Sequence, residues 1–210
     1  MNYPEGLKAN IGAISSALYV SVQLISNILS TKIALLPIVN LSIDGGTVIY
    51  PLTFTLRDFV HKTMGKAASR QIIILAAGMN IVMALLFILV SKMTPDPSWQ
   101  FQTAYDQVLL PVFRITIASI VAQVISELID TEIFSRMYKR FSDIKASLAS
   151  NVVALCADSV IFALIAFFGS LPIDVLGQIV VANILVKLVM SIISSPTIAL
   201  IPRQVAEDKI

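Results

Sequence analysis

A chain of 210 residues that is 57% hydrophobic and 13% charged, with a mean hydropathy of +0.86, carries more apolar side chain than a soluble domain of that length needs for a core, and reads as an integral membrane protein. A net charge of +2 is too small to suggest nucleic acid, one cysteine cannot form an internal disulfide, and one histidine excludes a zinc site made mainly of histidines. Where the charges sit therefore says more than their sum.

The first apolar run, Ala9 to Thr31, is 23 residues without a charge. It is longer than the core of a signal peptide and long enough to cross a bilayer, so it is expected to remain as the first helix. Ser15, Ser16, Ser21, Gln23, Ser26, Asn27 and Ser30 punctuate it, and Ala13 and Ala17 form a small-xxx-small pair suited to close helix packing. From Lys32 to Tyr50 the helical pattern breaks. Asp44-Gly45-Gly46 flanked by β-branched residues predicts a short β-hairpin turning at Asp-Gly and lying over the outer mouth of a bundle, irregular because of Pro37.

A second span is expected from about Thr47 to Gly65, with Pro51 in its first turn and Arg57, Asp58, His61 and Lys62 in its second half. Arg57 and Asp58 point about 100° apart on a helix, which predicts that Asp58 is not simply neutralised by its neighbour. The third span, Gln71 to Ser91, has Asn80 as its one strong polar group, and a turn-rich loop with Trp99 and Tyr105 follows it. The fourth, Pro111 to Phe134, carries Thr116, Ser119, Gln123, Ser126, Glu127 and Asp130 at helical spacings of three and four. They form one stripe, and a carboxylate at bilayer depth is tolerated where it faces a bundle interior or a watery cavity. The fifth span, Ala146 to Phe168, has Asp158 as its only charge; the sixth, Val175 to Leu200, has Lys187 near its middle and Asn183 one turn earlier.

The expected fold is thus an all-α integral membrane protein: a six-transmembrane-helix bundle with a short β-hairpin between helices 1 and 2, in a single membrane domain over residues 1–210. With the N-terminus inside, ten of the 15 Lys and Arg residues fall on the cytoplasmic side, two outside and three within spans. The positive-inside rule then makes both termini cytoplasmic. Asp130-Thr131-Glu132-Ile133-Phe134 and Asp158-Ser159-Val160-Ile161-Phe162 echo each other and present an acid in a similar setting on successive helices.

No H-E-x-x-H, G-x-S-x-G or Cys/His cluster is present, so neither an enzyme nor a metal site is expected, and no cofactor. A cavity walled by Asp, Asn, Gln and Lys suits a carrier of a small, planar, hydrogen-bonding solute, because one carboxylate can accept two parallel N–H bonds from a heterocycle.

Ser26-Asn27, Tyr50-Pro51 with Arg57-Asp58 and Gly65, Ala122-Gln123 with Asp130 and Phe134, Asp158-Ser159 with Ala163 and Ala166-Phe167, and Lys187 with Ser191 and Pro196 fall in order in successive spans. In this the chain resembles the queuosine precursor transporter family, of the vitamin-uptake group, over about Ile14 to Pro202. The resemblance implies a six-helix carrier of the bacterial inner membrane that imports a deazaguanine base or queuine for transfer-RNA modification. It implies Asn27, Asp58, Gln123, Asp130, Asp158 and Lys187 as substrate-binding residues. Independently of the resemblance, an aromatic residue such as Tyr50, Phe54 or Phe113 is expected to stack on the bound ring. Arg57 and Thr63-Met64 depart from the family pattern, which usually has a threonine before the acid and an aromatic residue before the glycine. The expected partners are a deazaguanine-type small molecule and the lipid bilayer, with room for a homo-oligomer; nucleic acid and an ATPase coupling module are not expected. The alternative is a substrate-capture subunit of an energy-coupled vitamin uptake system.

Overall fold

A computed structural model describes the backbone of residues 5–37, 39–138 and 143–200, and the side chains among these except at 5–10, 66, 127, 130, 131, 134–151, 191 and 194–200. In chain order it forms α1 (Glu5–Leu29), the strands β1 (Ile33–Leu35) and β2 (Ser42–Asp44), a 3-10 turn (Gly45–Val48), α2 (Leu52–Met64), α3 (Lys66–Ser91), the short α4 (Gln102–Leu109), α5 (Pro111–Tyr138), α6 (Asp143–Phe167) and α7 (Ile173–Leu200).

The helices are patterned inside out. Along α1 and the residue that follows it the buried face is Ser15, Tyr19, Val22, Gln23, Ser26, Asn27 and Ser30, while Ile14, Leu18, Ile25 and Leu29 are exposed. In α3 the buried residues Ser69, Ile72, Ala76, Asn80 and Ala84 are mostly small or polar, and Ile74, Leu75, Leu85 and Leu89 face outward. Lipid is as apolar as leucine, so membrane helices associate through close backbone approach and interhelical hydrogen bonds. Ile11–Leu29, Ala67–Ser91, Gln102–Ser126 and Ile173–Met190 are long and apolar enough to cross a membrane, and Val152–Phe167 is a shorter apolar stretch.

Two structural expectations are corrected. The second span is short: α2 has 13 residues, about 20 Å of helix against a hydrocarbon core of about 30 Å. The segment before it is taken up by the 3-10 turn and by Pro51 at the helix N-cap. The hairpin exists, pairing Ile33 with Asp44, Ala34 with Ile43 and Leu35 with Ser42, but it does not turn at Asp44-Gly45. Its turn is at 36–41, where Leu36 N–H donates to the Leu41 carbonyl at 2.9 Å and Asn40 takes a left-handed φ of 51°. Asp44 instead caps the 3-10 turn, its side chain accepting from the Thr47 N–H, the alternative use of an Asp before a tight turn. The ribbon is drawn into the bundle: Ser42, Ile43 and Asp44 are all buried, and the Ser42 N–H donates to Gln178 Oε1 on α7 at 3.1 Å.

Two apolar clusters hold the ends of the molecule's arrangement. One joins α1, α2 and α3 through Tyr19, Val22, Leu56, Val60, Ile72 and Ala76. The other joins α5, α6 and α7 through Ile115, Ala118, Ala163, Phe167, Leu176 and Ile179. Arg114 secures the second: its Nε donates to the Ile165 carbonyl at 2.6 Å, Nη2 to the Phe168 carbonyl at 2.6 Å and Nη1 to Ser170 Oγ at 3.0 Å. A cation on the last carbonyls of α6 satisfies groups that a helix end leaves open.

Candidate functional site

Polar residues from both halves converge on one cavity. Alpha-1 brings Ser26, Asn27 and Ser30; the 3-10 segment brings Asp44, Thr47 and Tyr50; α6 brings Asp158 and α7 brings Asn183 and Lys187. Their placement follows from helical spacing. Ser26, Asn27 and Ser30 lie three and four apart on the buried face of α1, and Asn183 and Lys187 lie four apart on α7. Gly46 lets the 3-10 turn press against α1: a Cβ there would overlap the Ser30 hydroxyl and the Ser26 carbonyl, so only glycine fits. Ser26 Oγ donates to the Gly46 carbonyl at 3.2 Å across the same contact.

The electrostatic centre is Lys187, 3% exposed. Its ammonium donates to Asp158 and, at 3.3 Å, to Ser159 Oγ, and lies 5.4 Å from the centroid of the Tyr50 ring. Phe54 meets Tyr50 edge-on at 5.6 Å and holds that ring. Beside the ion pair runs a second network: Asp44 accepts from Ser30 Oγ at 2.7 Å and from Thr47 Oγ1 at 2.8 Å, and Thr47 Oγ1 lies 2.7 Å from Asn183 Oδ1. On the α3 side Asn27 Nδ2 donates to Asn80 Oδ1 at 2.7 Å, while Asn80 Nδ2 donates to the Ala76 carbonyl at 2.9 Å. The space open to water centres is about 20 Å³, room for roughly one water. A heterocyclic base can enter only if these groups part.

Of the residues expected to bind substrate, Asn27, Asp158 and Lys187 are brought together. Asp58 and Gln123 are not on the cavity wall, and the side chain of Asp130 lies outside the described residues, as does that of Glu127. Asp58 is about a third exposed, with Arg57 Nε 3.7 Å from its Oδ1. Although the two residues point about 100° apart on the helix, the long arginine side chain reaches back to the carboxylate. The α5 stripe is buried at Thr116, Ser119 and Ser126, and Ser119 reaches the cavity. Phe113 is exposed, whereas Tyr50 lines the cavity. Asp44 is the residue that sequence reasoning passed over as a turn former; the signal available was a charged residue between two membrane-length segments. Among the described residues no cluster of three or more His, Cys, Asp or Glu could hold a metal.

Comparison with known proteins adds to this geometry. A family model described as "Putative vitamin uptake transporter" matches residues 44–201, beginning at the buried Asp44. A Bacillus subtilis protein named "Probable queuosine precursor transporter" is 28% identical over 157 residues, which is 72% of this chain and 68% of the relative. A Haemophilus influenzae protein of the same name is 27% identical over 125 residues, 60% of this chain and 52% of the relative. No solved structure matches the chain.

Proposed function

Because the chain belongs to the vitamin uptake transporter family, a family of multi-pass membrane carriers and not of enzymes, we propose that it imports a queuosine precursor, a deazaguanine base or queuine, for transfer-RNA modification. The observation that carries the reading is the Lys187–Asp158 pair buried against the Tyr50 ring in a cavity of hydroxyls and amides. When a base enters, Asp158 exchanges the ammonium for two parallel N–H bonds from the ring's amide-like edge, Tyr50 stacks on the ring face, and Asn27 hydrogen-bonds its periphery. Lys187 serves as the counter-ion of Asp158 while no base is present, which spares the empty carrier an unpaired buried carboxylate. Asp58 and Gln123, which the closed cavity does not use, would meet the base along its path, and so would Asp130. The proposal includes six crossings of the inner membrane with both termini cytoplasmic.

Uptake of a labelled deazaguanine by cells lacking their own importer tests this. With expression held equal, Asp158→Asn and Lys187→Ala are expected to lose most transport, and full transport by both would sink the reading. A second reading, a substrate-capture subunit that docks on a coupling module, is favoured by one observation: Ala13 and Ala17 lie on the exposed side of α1, open to a close-packing helix.

A further inference from the structure

The segment 42–47 lies between α1 and α7, and it meets the two helices in different ways. Toward α1 the approach is backbone to backbone: a Cβ on Gly45 would overlap the Leu29 carbonyl, and one on Gly46 the Ser26 carbonyl. The Gly45 N–H donates to the Lys32 carbonyl at 2.8 Å, and Ser30 Oγ donates to Asp44 at 2.7 Å. Groups packed so closely, at positions where only glycine fits, move as one body. Toward α7 the Ser42 N–H donates to Gln178 Oε1 at 3.1 Å, and Thr47 Oγ1 meets Asn183 Oδ1 at 2.7 Å. Ile33 of β1 rests against the apolar cluster of α5–α7 while only partly buried. Both α7 partners are amides on rotatable side chains, which can turn away while the helix backbone stays intact. Neutral hydrogen bonds between membrane elements are individually weak, so the side toward α7 parts first.

The cavity lies across this seam, with Asp44 and Thr47 on one side and Asn183 and Lys187 on the other. Deepest in the seam, the Lys187 ammonium faces the Tyr50 ring at 5.4 Å from its centroid. Gln178 precedes Asn183 by five residues on α7, about 7.5 Å nearer the start of that helix. The Ser42–Gln178 bond thus closes the seam at the end that the positive-inside count puts outside. Parting β2 from α7 there opens the cavity outward and leaves the buried residues of both apolar clusters in place.

We propose that the contact between β2 and α7, latched by Ser42 and Gln178, is the outer gate of the transport cavity: the segment 42–47 travels with α1, and the seam along α7 opens to admit solute from outside. The inference rests on that cavity being the transport site. Two measurements test it in full-length protein carrying Cys156→Ser, which removes the one cysteine of the chain. In the first, Asn183→Cys is labelled by a membrane-impermeant thiol reagent applied outside intact cells. Adding Gln178→Ala should quicken the labelling roughly three- to tenfold, the scale of one neutral hydrogen bond. An unchanged rate, or labelling from the cytoplasmic face alone, overturns the gate, and this measurement needs no substrate. In the second, Ser42→Cys and Gln178→Cys are joined by a short bis-thiosulfonate through reducible disulfides. Uptake of a labelled deazaguanine should stop, then return when a reductant cleaves the bridge, while each single-cysteine variant treated alike keeps transporting. Uptake that continues with the bridge in place, or failure of the two cysteines to bridge, overturns the latch. If even the reduced protein takes up no deazaguanine, the reading of the solute fails, and the labelling rate still decides the gate.

Discussion

Lys187 and Asp158 are worth more to each other than either is to the bilayer interior. Removing one partner of a buried pair leaves an uncompensated charge, a loss of about 3–5 kcal/mol, so Lys187→Ala should lower the thermal transition of the purified protein sharply. The double variant Asp158→Asn with Lys187→Ala should recover part of the loss, and a simple sum of the two single effects would show that the side chains do not interact. Gly46 poses a different physical problem. Its Cβ would meet the Ser26 carbonyl, which belongs to the α1 backbone and cannot swing away, so Gly46→Ala should destabilise by about 1–3 kcal/mol, the usual scale of overpacking. Wild-type stability in a melting assay would contradict that close approach.

At the scale of elements, α1 and α3 are joined by the Asn27–Asn80 bond at 2.7 Å. Interhelical hydrogen bonds in membranes average about 0.6 kcal/mol in double-mutant cycles, so an Asn27→Ala and Asn80→Ala cycle should give a coupling of that order. Both single variants should fold. The end of α6 is held differently, by the Arg114 fork on two carbonyls and a hydroxyl. Arg114→Lys keeps the charge but cannot reproduce that geometry. Amide exchange at 168–171 should therefore quicken in Arg114→Lys almost as much as in Arg114→Ala; full protection in the lysine variant would mean that charge alone secures the helix end. Alpha-2, at 13 residues, shows how an element can read longer in sequence than in space. Its apolar and β-branched lead-in, 47–50, reads as helix by hydropathy alone, while the Asp44 cap and the close contact of Gly46 with α1 wind part of it into a 3-10 turn.

For the molecule as a whole, the two apolar clusters lie on the α1–α3 side and the α5–α7 side, and the polar cavity draws its wall from both. A cavity of about 20 Å³ admits a base only when its walls separate, so a bound base should favour a conformation in which the halves are further apart. Paired labels on α1 and α7 should report a change in distance on adding a deazaguanine, and an unchanged distance in the presence of saturating base would oppose entry by separation of the walls.

The sequence by itself determined the class and most of the elements. An apolar stretch of membrane length can satisfy its backbone in lipid only as a helix, so α1, α3, α5 and α7 are legible from hydropathy, as is the strand-forming insertion after α1. It also singled out Asp158 and Lys187, because an ionised group in an apolar span is too costly to lack a role. Tertiary structure alone decided which polar residues meet. Asp44, Thr47 and Asn183 are bound in one network although Asn183 is 136 residues from Thr47, and Asp58, equally conspicuous as a charge, is left beside Arg57. The physical reason is that periodicity assigns a residue to a face of its own helix, whereas the partner across that face depends on how close two backbones can come. Here that distance is set by two glycines, Gly45 and Gly46, pressed against α1 and by a strand whose buried edge reaches α7.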